Sequence, residues 1–274
     1  VGEIGDGAGT AAHLDETLQL RPARNEVDPA LRRVNLVFEV LVAEELAQLL
    51  TERSMAAHKG DFGHVLLVAG SRGKAGAAIL AARGAVRGGA GLVTVATVES
   101  AWTAIAGGVP EAMSLPSAED AGGGLAFAAL AALLAAAGER DVLAIGPGLG
   151  ESAGTWRLVR SLALEAADMP LVLDADGLNA FAGATAAQGG KGARGGQSGL
   201  RQLSKRRGST VLTPHPGELA RLLGCAVSEI EADRLAAVRR AAELSGAVVV
   251  LKGGRPLIGL PSGEVAINTT GNPA

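Results

Sequence analysis

The sequence predicts an α/β domain with a mostly parallel central sheet and helices on both faces. Six short runs rich in Val, Leu and Ile recur along the chain, separated by alanine-rich helical stretches. The runs do not alternate with polar residues, which is typical of parallel strands buried on both sides. Glycine-rich or polar segments follow five of the runs, where ligands collect in such sheets. The predicted strands cover residues 65–69, 91–97, 142–145, 171–174, 211–213 and 247–251.

Composition excludes several classes of partner. Hydrophobic residues make up 48% of the 274 residues and the net charge is −3, so a substantial core is expected and nucleic acid is not. Residues 125–137 (LAFAALAALLAAA) fall short of the roughly 20 residues that span a bilayer, which favours a core-packed helix and no membrane. The lone Cys225 and the lack of a signal-peptide pattern predict a cytoplasmic protein.

Two regions differ from the predicted domain. Residues 1–45 are irregular and are interpreted as a remnant and linker, followed by the domain at 46–274. Residues 183–208 are rich in glycine and basic residues, which predicts a mobile surface excursion. Its basic cluster, residues 205–207, is interpreted as a solvated face in preference to a phosphate-binding one.

The first strand leads into GSRGKAG, residues 70–76, and an alanine-rich helix. Small residues there let backbone N–H groups at the helix start approach a phosphate. The spacing is GxxGxxG and Thr97 stands where an acidic residue closes a dinucleotide-binding unit. A dinucleotide site, a tight connection and a different nucleotide fold all remain open at this point.

Two further segments follow predicted strands. GPGLG, residues 146–150, either exposes amide groups to an anion or a planar ligand, or is a plain loop. In DADGLN, Asp174 and Asp176 suit contacts to a metal-bound water or a hydroxyl, while helix capping by Asp176 is the alternative.

The last two strands lead into TPHPGE (213–218) and KGGRP (252–256). Pro214 and Pro216 stiffen the backbone around His215, and Glu218 falls in the first turn of the next helix. Lys252 stands at a strand end where an ammonium group can meet phosphate oxygens, or it lies on the rim of a basic hairpin.

Eight segments in this order closely resemble the ADP/ATP-dependent NAD(P)H-hydrate dehydratases: HKGDFGHVLLVAGS, GKAGAAILAA, GAGLVTVAT, IGPGLG, LVLDADGLNA, LTPHPGE, VVLKGG and NTTGNPA. The resemblance covers residues 58–274. It implies a ribokinase-like fold and metabolite repair, in which the S form of hydrated NAD(P)H is dehydrated. ADP or ATP is consumed, with ADP giving AMP and phosphate, and Mg²⁺ is the implied metal.

The resemblance also implies site residues, which are carried over position by position. Ala77, Gly148 and His215 match contacts to the hydrated dinucleotide. Glu218 resembles an acidic residue that organises magnesium and water. The AMP side is matched by five consecutive residues: Lys252, Gly253, Gly254, Arg255 and Pro256.

The family's GGTGD-type motif, with its catalytic aspartate, is expected beyond Ala274, so no catalytic residue is assigned and we expect the chain alone to be impaired. The resemblance further implies a fused epimerase domain upstream and a homo-oligomer. A ribokinase-like kinase of small alcohols, of the hydroxymethylpyrimidine or hydroxyethylthiazole type, is the alternative enzyme. A non-catalytic nucleotide-binding module is the alternative without chemistry.

Overall fold

The computed structural model describes residues 38–41, 47, 52–182 and 195–270. These residues belong to one compact unit that covers 37–274. Most of the predicted 1–45 segment lies outside the described residues. Residues 38–41 of that segment form a strand of the sheet, and the division of the chain at residue 45 stays a prediction.

A ten-stranded sheet forms the centre of this unit. Its spatial order is β1-β10-β9-β8-β7-β6-β5-β2-β3-β4. The seven strands from β8 to β4 in that order are parallel, whereas β9 is antiparallel to both of its neighbours. The strands are β1 Phe38–Leu41, β2 His64–Val68, β3 Leu92–Val98, β4 Met113–Ser117, β5 Val142–Ile145, β6 Leu171–Leu173, β7 Thr210–Leu212, β8 Val248–Leu251, β9 Leu257–Gly259 and β10 Val265–Asn268.

Helices connect the parallel strands. The strands are added in one direction from β2 to β4 and in the opposite direction from β5 to β8. Because crossovers between parallel strands are right-handed as a rule, this reversal puts the helices between β2 and β4 on one face of the sheet and the later helices on the other. The helices are α1 Ala75–Arg87, α2 Glu99–Gly108, α3 Leu130–Ala137, α4 Ala153–Glu165, α5 Asp176–Ala182, α6 Gly195–Leu203, α7 Pro216–Leu223, α8 Val227–Ala232 and α9 Arg234–Ser245. Two short 3-10 helices cover Lys59–Phe62 and Phe127–Ala129. Within the described ranges, no helix has both the length and the apolar character that crossing a bilayer requires.

The central strands are buried on both faces, as their continuous apolar character predicts. Leu66 and Val68 of β2 are inaccessible to solvent, and Val95 of β3 beside them is equally buried. Phe181 of α5 is the largest fully buried side chain of this core. Each such side chain contributes about 1.5–3 kcal/mol through the hydrophobic effect.

The predicted α/β class is confirmed, and the six predicted strands correspond to β2, β3, β5, β6, β7 and β8. The sequence analysis did not identify β1, β4, β9 or β10. Strand β4 contains Pro116, which weakens a strand pattern, and β9 and β10 form a short antiparallel hairpin. Residues 130–137 are helical and packed on the core, as predicted for the apolar stretch at 125–137.

The prediction that residues 183–208 form a mobile surface excursion is wrong for residues 195–208. Residues 183–194 lie outside the described residues, but α6 follows them and buries Leu200 and Leu203 completely or nearly so. Arg206 is half-buried and donates to the carbonyl oxygens of Ala163 and Met169. These backbone contacts correct the interpretation of a solvated face for Arg206, whereas Lys205 and Arg207 are exposed as that interpretation predicts.

Candidate functional site

The loops that follow β2, β5, β6, β7 and β8 emerge at one edge of the sheet because these strands are parallel. We divide this edge into two parts. The glycine half consists of residues 69–74 after β2 and 146–150 after β5. The charged half consists of Asp174, His215, Glu218 and Lys252, which follow β6, β7 and β8.

The two loops of the glycine half are hydrogen-bonded to each other. The Gly70 amide donates to the Pro147 carbonyl at 2.8 Å, and the Ser71 hydroxyl donates to the Gly148 carbonyl at 2.7 Å. Gly148 has a φ of +71°, which side chains rarely tolerate. A Cβ added there would lie 2.9 Å from the Ala77 Cβ. The structure therefore brings together Ala77 and Gly148, which sequence analysis assigned to the dinucleotide.

The glycine half packs so closely against the loop after β6 that no side chain fits between them. A Cβ on Gly146 would lie 1.7 Å from the carbonyl oxygen of Asp174. Asp176, the first residue of α5, accepts a hydrogen bond from the Gly150 amide at 2.8 Å. Its carboxylate also lies 3.8 Å from the Lys74 ammonium. Asp176 thus contacts both loops of the glycine half, a role that neither interpretation from the sequence included.

His215 is fixed by the start of α7. It is the N-cap residue, and its Nδ1 accepts from the Gly217 amide at 3.0 Å. Glu218 completes the capping box by accepting from the His215 amide at 2.8 Å. The two prolines around His215 favour this turn, because Pro216 is already constrained to a helical φ. The His215 side chain remains 50% exposed, so its ring is both oriented and accessible.

The Lys252 ammonium lies between two carboxylates in the charged half. It is 2.7 Å from Asp174 Oδ1 and 4.0 Å from Glu218 Oε2. Glu218 is nearly buried, with a side chain that is 7% exposed, while the Lys252 side chain is 43% exposed. Sequence analysis assigned Lys252 and Glu218 to this region, and the structure adds Asp174 as the direct partner of the lysine.

The rest of the predicted AMP-side segment forms an open rim after β8. Gly253, Gly254 and Arg255 are exposed, and Pro256 is half-buried. No heavy atom lies within 4 Å of a Cβ added to Gly254, so this rim can accept a ligand without rearrangement.

Carboxylate oxygens are the ligands that Mg²⁺ prefers. In the part of the chain that the structure describes, no cluster of three or more His, Cys, Asp or Glu side chains forms a complete metal site. Asp174 and Glu218 flank a cationic group already, the Lys252 ammonium. The charge and donor chemistry of this pair fit a magnesium ion that takes its remaining ligands from water or phosphate.

A brace loop, residues 118–126, supports the glycine half from outside. The Arg72 amide donates to the Gly123 carbonyl at 2.9 Å, and the Arg72 guanidinium pairs with Glu119. Asp120 accepts from the Ser152 hydroxyl at 2.7 Å, directly before α4. The hydrogen bond from Ser152 lowers the pKa of Asp120. A hydrogen bond from Ser100 is the main cause of the lowered pKa of Glu119.

Thr97 does not face the site. It is fully buried at the end of β3, and its hydroxyl is among the buried side-chain atoms without a hydrogen-bond partner in the described residues. A Cβ on Gly70 would lie 3.0 Å from that hydroxyl. Thr97 therefore packs behind the first turn and cannot replace the acidic residue of a dinucleotide fingerprint.

Sequence reasoning missed the polar contacts that hold the loops in place. Ser71, Lys74 and Asp176 lie in segments that were recognised, but their partners are distant in the chain: Ser71 and Gly148 are 77 residues apart, and Lys74 and Asp176 are 102 residues apart (176 − 74). The available signal was the position of Asp176 at a predicted strand-to-helix turn. The contacts of the brace loop had no comparable signal.

Comparison with known proteins identifies related sequences over most of the chain. A family model described as NAD(P)H-hydrate dehydratase matches residues 65–274. A bifunctional NAD(P)H-hydrate repair enzyme from Moorella thermoacetica is 42% identical over 234 residues, which are 85% of this chain and 41% of that protein. An ADP-dependent (S)-NAD(P)H-hydrate dehydratase from Neisseria meningitidis is 36% identical, over 80% of this chain and 66% of that protein. The chain thus spans about two fifths of the length of its bifunctional relatives.

Solved structures share the fold. The ADP/ATP-dependent NAD(P)H-hydrate dehydratase from Bacillus subtilis, crystallised with ATP and Mg²⁺, superimposes with a TM-score of 0.67 at 31% identity. The match covers 86% of this chain and 74% of that one. A ribokinase-like superfamily protein from Enterococcus faecalis gives a TM-score of 0.66 at 27% identity, over 87% of this chain and 74% of that one. The expected ribokinase-like fold is confirmed.

Proposed function

This chain belongs to the NAD(P)H-hydrate dehydratase family, and from that membership we propose that its cleft serves the nucleotide-dependent dehydration of hydrated NAD(P)H. The S form of the hydrate is the proposed substrate, because the Neisseria relative is named for it. ADP or ATP is the proposed phosphoryl donor. The resemblance seen in the sequence led to the same reaction.

The proposed chemistry activates a poor leaving group. Water has added to the nicotinamide ring, and hydroxide does not depart readily near neutral pH. A base takes the hydroxyl proton while the terminal phosphoryl group of ADP is transferred to the hydroxyl oxygen, and AMP is released. The carbon–oxygen bond then breaks as the ring nitrogen donates its electron pair, a ring proton is lost, and NAD(P)H and phosphate result. Positioning and charge neutralisation dominate phosphoryl transfers of this kind.

The glycine half, together with Ala77 of α1 and His215 of the charged half, is the proposed site for the hydrated dinucleotide. Ala77 and Gly148 present little more than backbone at their contact, so a flat ring can lie against them. His215 is the third proposed contact, and its capping bond holds the ring in one orientation. Ala77 and Gly148 thus allow the substrate ring to approach closely, and His215 offers it an imidazole in a fixed orientation.

The charged half is the proposed site for the nucleotide phosphates. Lys252 supplies a positive charge, and the exposed rim of residues 253–256 is the proposed AMP contact. Asp174 and Glu218 are the residues proposed to hold Mg²⁺ near those phosphates. When bound, the ion neutralises negative charge that develops on the transferring group.

One observation supports this proposal most strongly: Gly148 packs against Ala77 at the same edge of the sheet as the pair formed by Lys252 and Asp174. The direct test mixes the chain, in excess, with hydrated NADPH, ADP and Mg²⁺ in a single-turnover reaction. Recovery of the reduced-nicotinamide absorbance should match the AMP and phosphate formed. Calorimetry gives the affinity for the hydrate separately from the rate.

The matched variants are Gly148→Ala and Gly263→Ala. Both residues have positive φ, but a Cβ at 148 would lie 2.9 Å from the Ala77 Cβ, whereas one at 263, in the turn between β9 and β10, makes only an ordinary contact at 3.6 Å from Glu243 Oε1. We expect the first to weaken hydrate binding by about tenfold or more, and the second by less than about twofold. A wild-type chain that fails to bind the hydrate would overturn the proposal. So would turnover of small alcohols instead, which would favour the kinase alternative.

The remaining expectations concern the whole protein. A fused epimerase domain upstream of this chain stays a proposal, and the bifunctional names of the longer relatives support fusion to a further domain. Assembly as a homo-oligomer and a cytoplasmic location also stay proposals.

A further inference from the structure

We propose that Asp176 is a positioning residue that sets the geometry of the glycine half. This inference rests on the proposed function, because it assigns to Asp176 control over how tightly the hydrated dinucleotide binds. Asp176 itself does not touch the proposed substrate contacts. It acts through the loop that carries Gly148.

The contacts of Asp176 join three loops. It follows β6, its Oδ2 accepts from Gly150 at the end of the loop after β5, and it faces Lys74 in the loop after β2. Its side chain is only 14% exposed, so water competes weakly for these partners. A carboxylate that accepts from a backbone amide makes a stronger hydrogen bond than a neutral acceptor does.

The loop after β5 is already restrained at its other positions. Gly146 is fixed against Asp174 by close packing, and Gly148 is fixed by the Ser71 hydroxyl. At the end of this loop, the Gly150 amide is held by the Asp176 carboxylate. Loss of the Asp176 carboxylate would let Gly150 move and tilt Gly148 relative to Ala77.

The backbone before Asp176 is held in an uncommon conformation. Ala175 has a φ of +48°, and it is the only residue other than glycine with a positive φ in the described ranges. Such a conformation persists only when surrounding contacts enforce it. The residues on either side of Ala175 are both held by such contacts, Asp174 by Lys252 and Asp176 by the Gly150 amide.

The test compares three variants with wild type: Asp176→Ala, Asp176→Asn and Asp61→Ala. Asparagine retains an acceptor for the Gly150 amide, whereas alanine does not. Asp61 is the matched control, since its carboxylate also accepts from a backbone amide, that of His58, but lies before β2 at the other edge of the sheet. Calorimetry with hydrated NADPH and, separately, with ADP measures the two affinities.

We expect Asp176→Ala to weaken binding of the hydrate by about tenfold to a hundredfold, because small displacements of positioned groups have effects of that size. ADP affinity should change by less than about twofold. Asp176→Asn should recover most of the hydrate affinity, and Asp61→Ala should match wild type. Equal losses for both ligands would indicate a general structural role and would overturn the proposal.

Hydrogen exchange tests the same geometry without a ligand. Asp176→Ala should accelerate exchange of the amides at 148–150 and leave those of β5 unchanged. If the 148–150 amides keep wild-type protection, the inference is wrong. If wild type does not bind the hydrate but the exchange prediction holds, the proposed function fails while Asp176 still determines the loop geometry.

Discussion

The glycine half and the charged half recognise ligands by opposite means. In the glycine half, side chains are missing where loops meet, and contacts such as Gly70 to Pro147 involve backbone atoms. In the charged half, long side chains converge, with Lys252 between Asp174 and Glu218. The first half can select a ligand by shape and close approach, and the second by charge. A cleft that combines both suits an uncharged ring next to a phosphate donor.

The largest expected effect is a loss of stability caused by a substitution inside the glycine half. Gly146→Ala places a Cβ 1.7 Å from a carbonyl oxygen of the neighbouring loop, so the loops must separate. We expect the free energy of unfolding to fall by about 3 kcal/mol or more. Urea denaturation followed by circular dichroism measures it.

Gly84→Ala is the control for that experiment. Gly84 lies inside α1, and no heavy atom lies within 4 Å of an added Cβ. Alanine there should stabilise the protein by about 0.5–1 kcal/mol, through helix propensity. If both variants had the same small effect, the close packing at Gly146 would not be important for stability.

A second variant tests whether the two halves bind different ligands. Lys252→Met removes the positive charge and leaves the carboxylates of Asp174 and Glu218 without their cation. ADP affinity should fall by about tenfold, since one charged hydrogen bond is worth about 1.5–3 kcal/mol. Affinity for hydrated NADPH should stay within about twofold of wild type. Titration calorimetry with each ligand measures both constants.

Lys74→Met is the matched lysine control, because Lys74 lies in the glycine half beside Asp176. It should affect ADP affinity much less than Lys252→Met does. Equal loss of ADP affinity in the two variants would contradict the assignment of the nucleotide phosphates to the charged half.

The sequence was informative about the fold because the central strands are apolar throughout. Continuous apolar runs located β2, β5 and β8 within a residue of their ends. The strands that were not identified gave no such pattern. Strand β4 has one neighbour and contains Pro116, and β10 forms an antiparallel hairpin with β9, so tertiary pairing decides their conformation.

The site was predictable where one segment carries the chemistry. His215 and Glu218 form a capping box within four residues, and the spacing of TPHPGE predicts their proximity. The bond between Asp176 and Gly150 joins segments 26 residues apart, and the pair formed by Lys252 and Asp174 spans 78 residues. Such contacts follow from the order of strands in the sheet, which residue patterns alone do not specify.

The smallest expected effect is that of substituting Thr97, which packs behind the glycine half. Its buried hydroxyl has no hydrogen-bond partner among the described residues, so Thr97→Val removes an unsatisfied polar atom at nearly constant volume. We expect stability to rise by about 0.5–1 kcal/mol, seen as a higher midpoint of thermal unfolding. Thr97→Ser keeps the hydroxyl and loses the methyl group, so it should destabilise by about 1 kcal/mol. If valine destabilised the protein as serine does, the hydroxyl would have a partner, such as a buried water, and the glycine half would depend on a polar contact at its back.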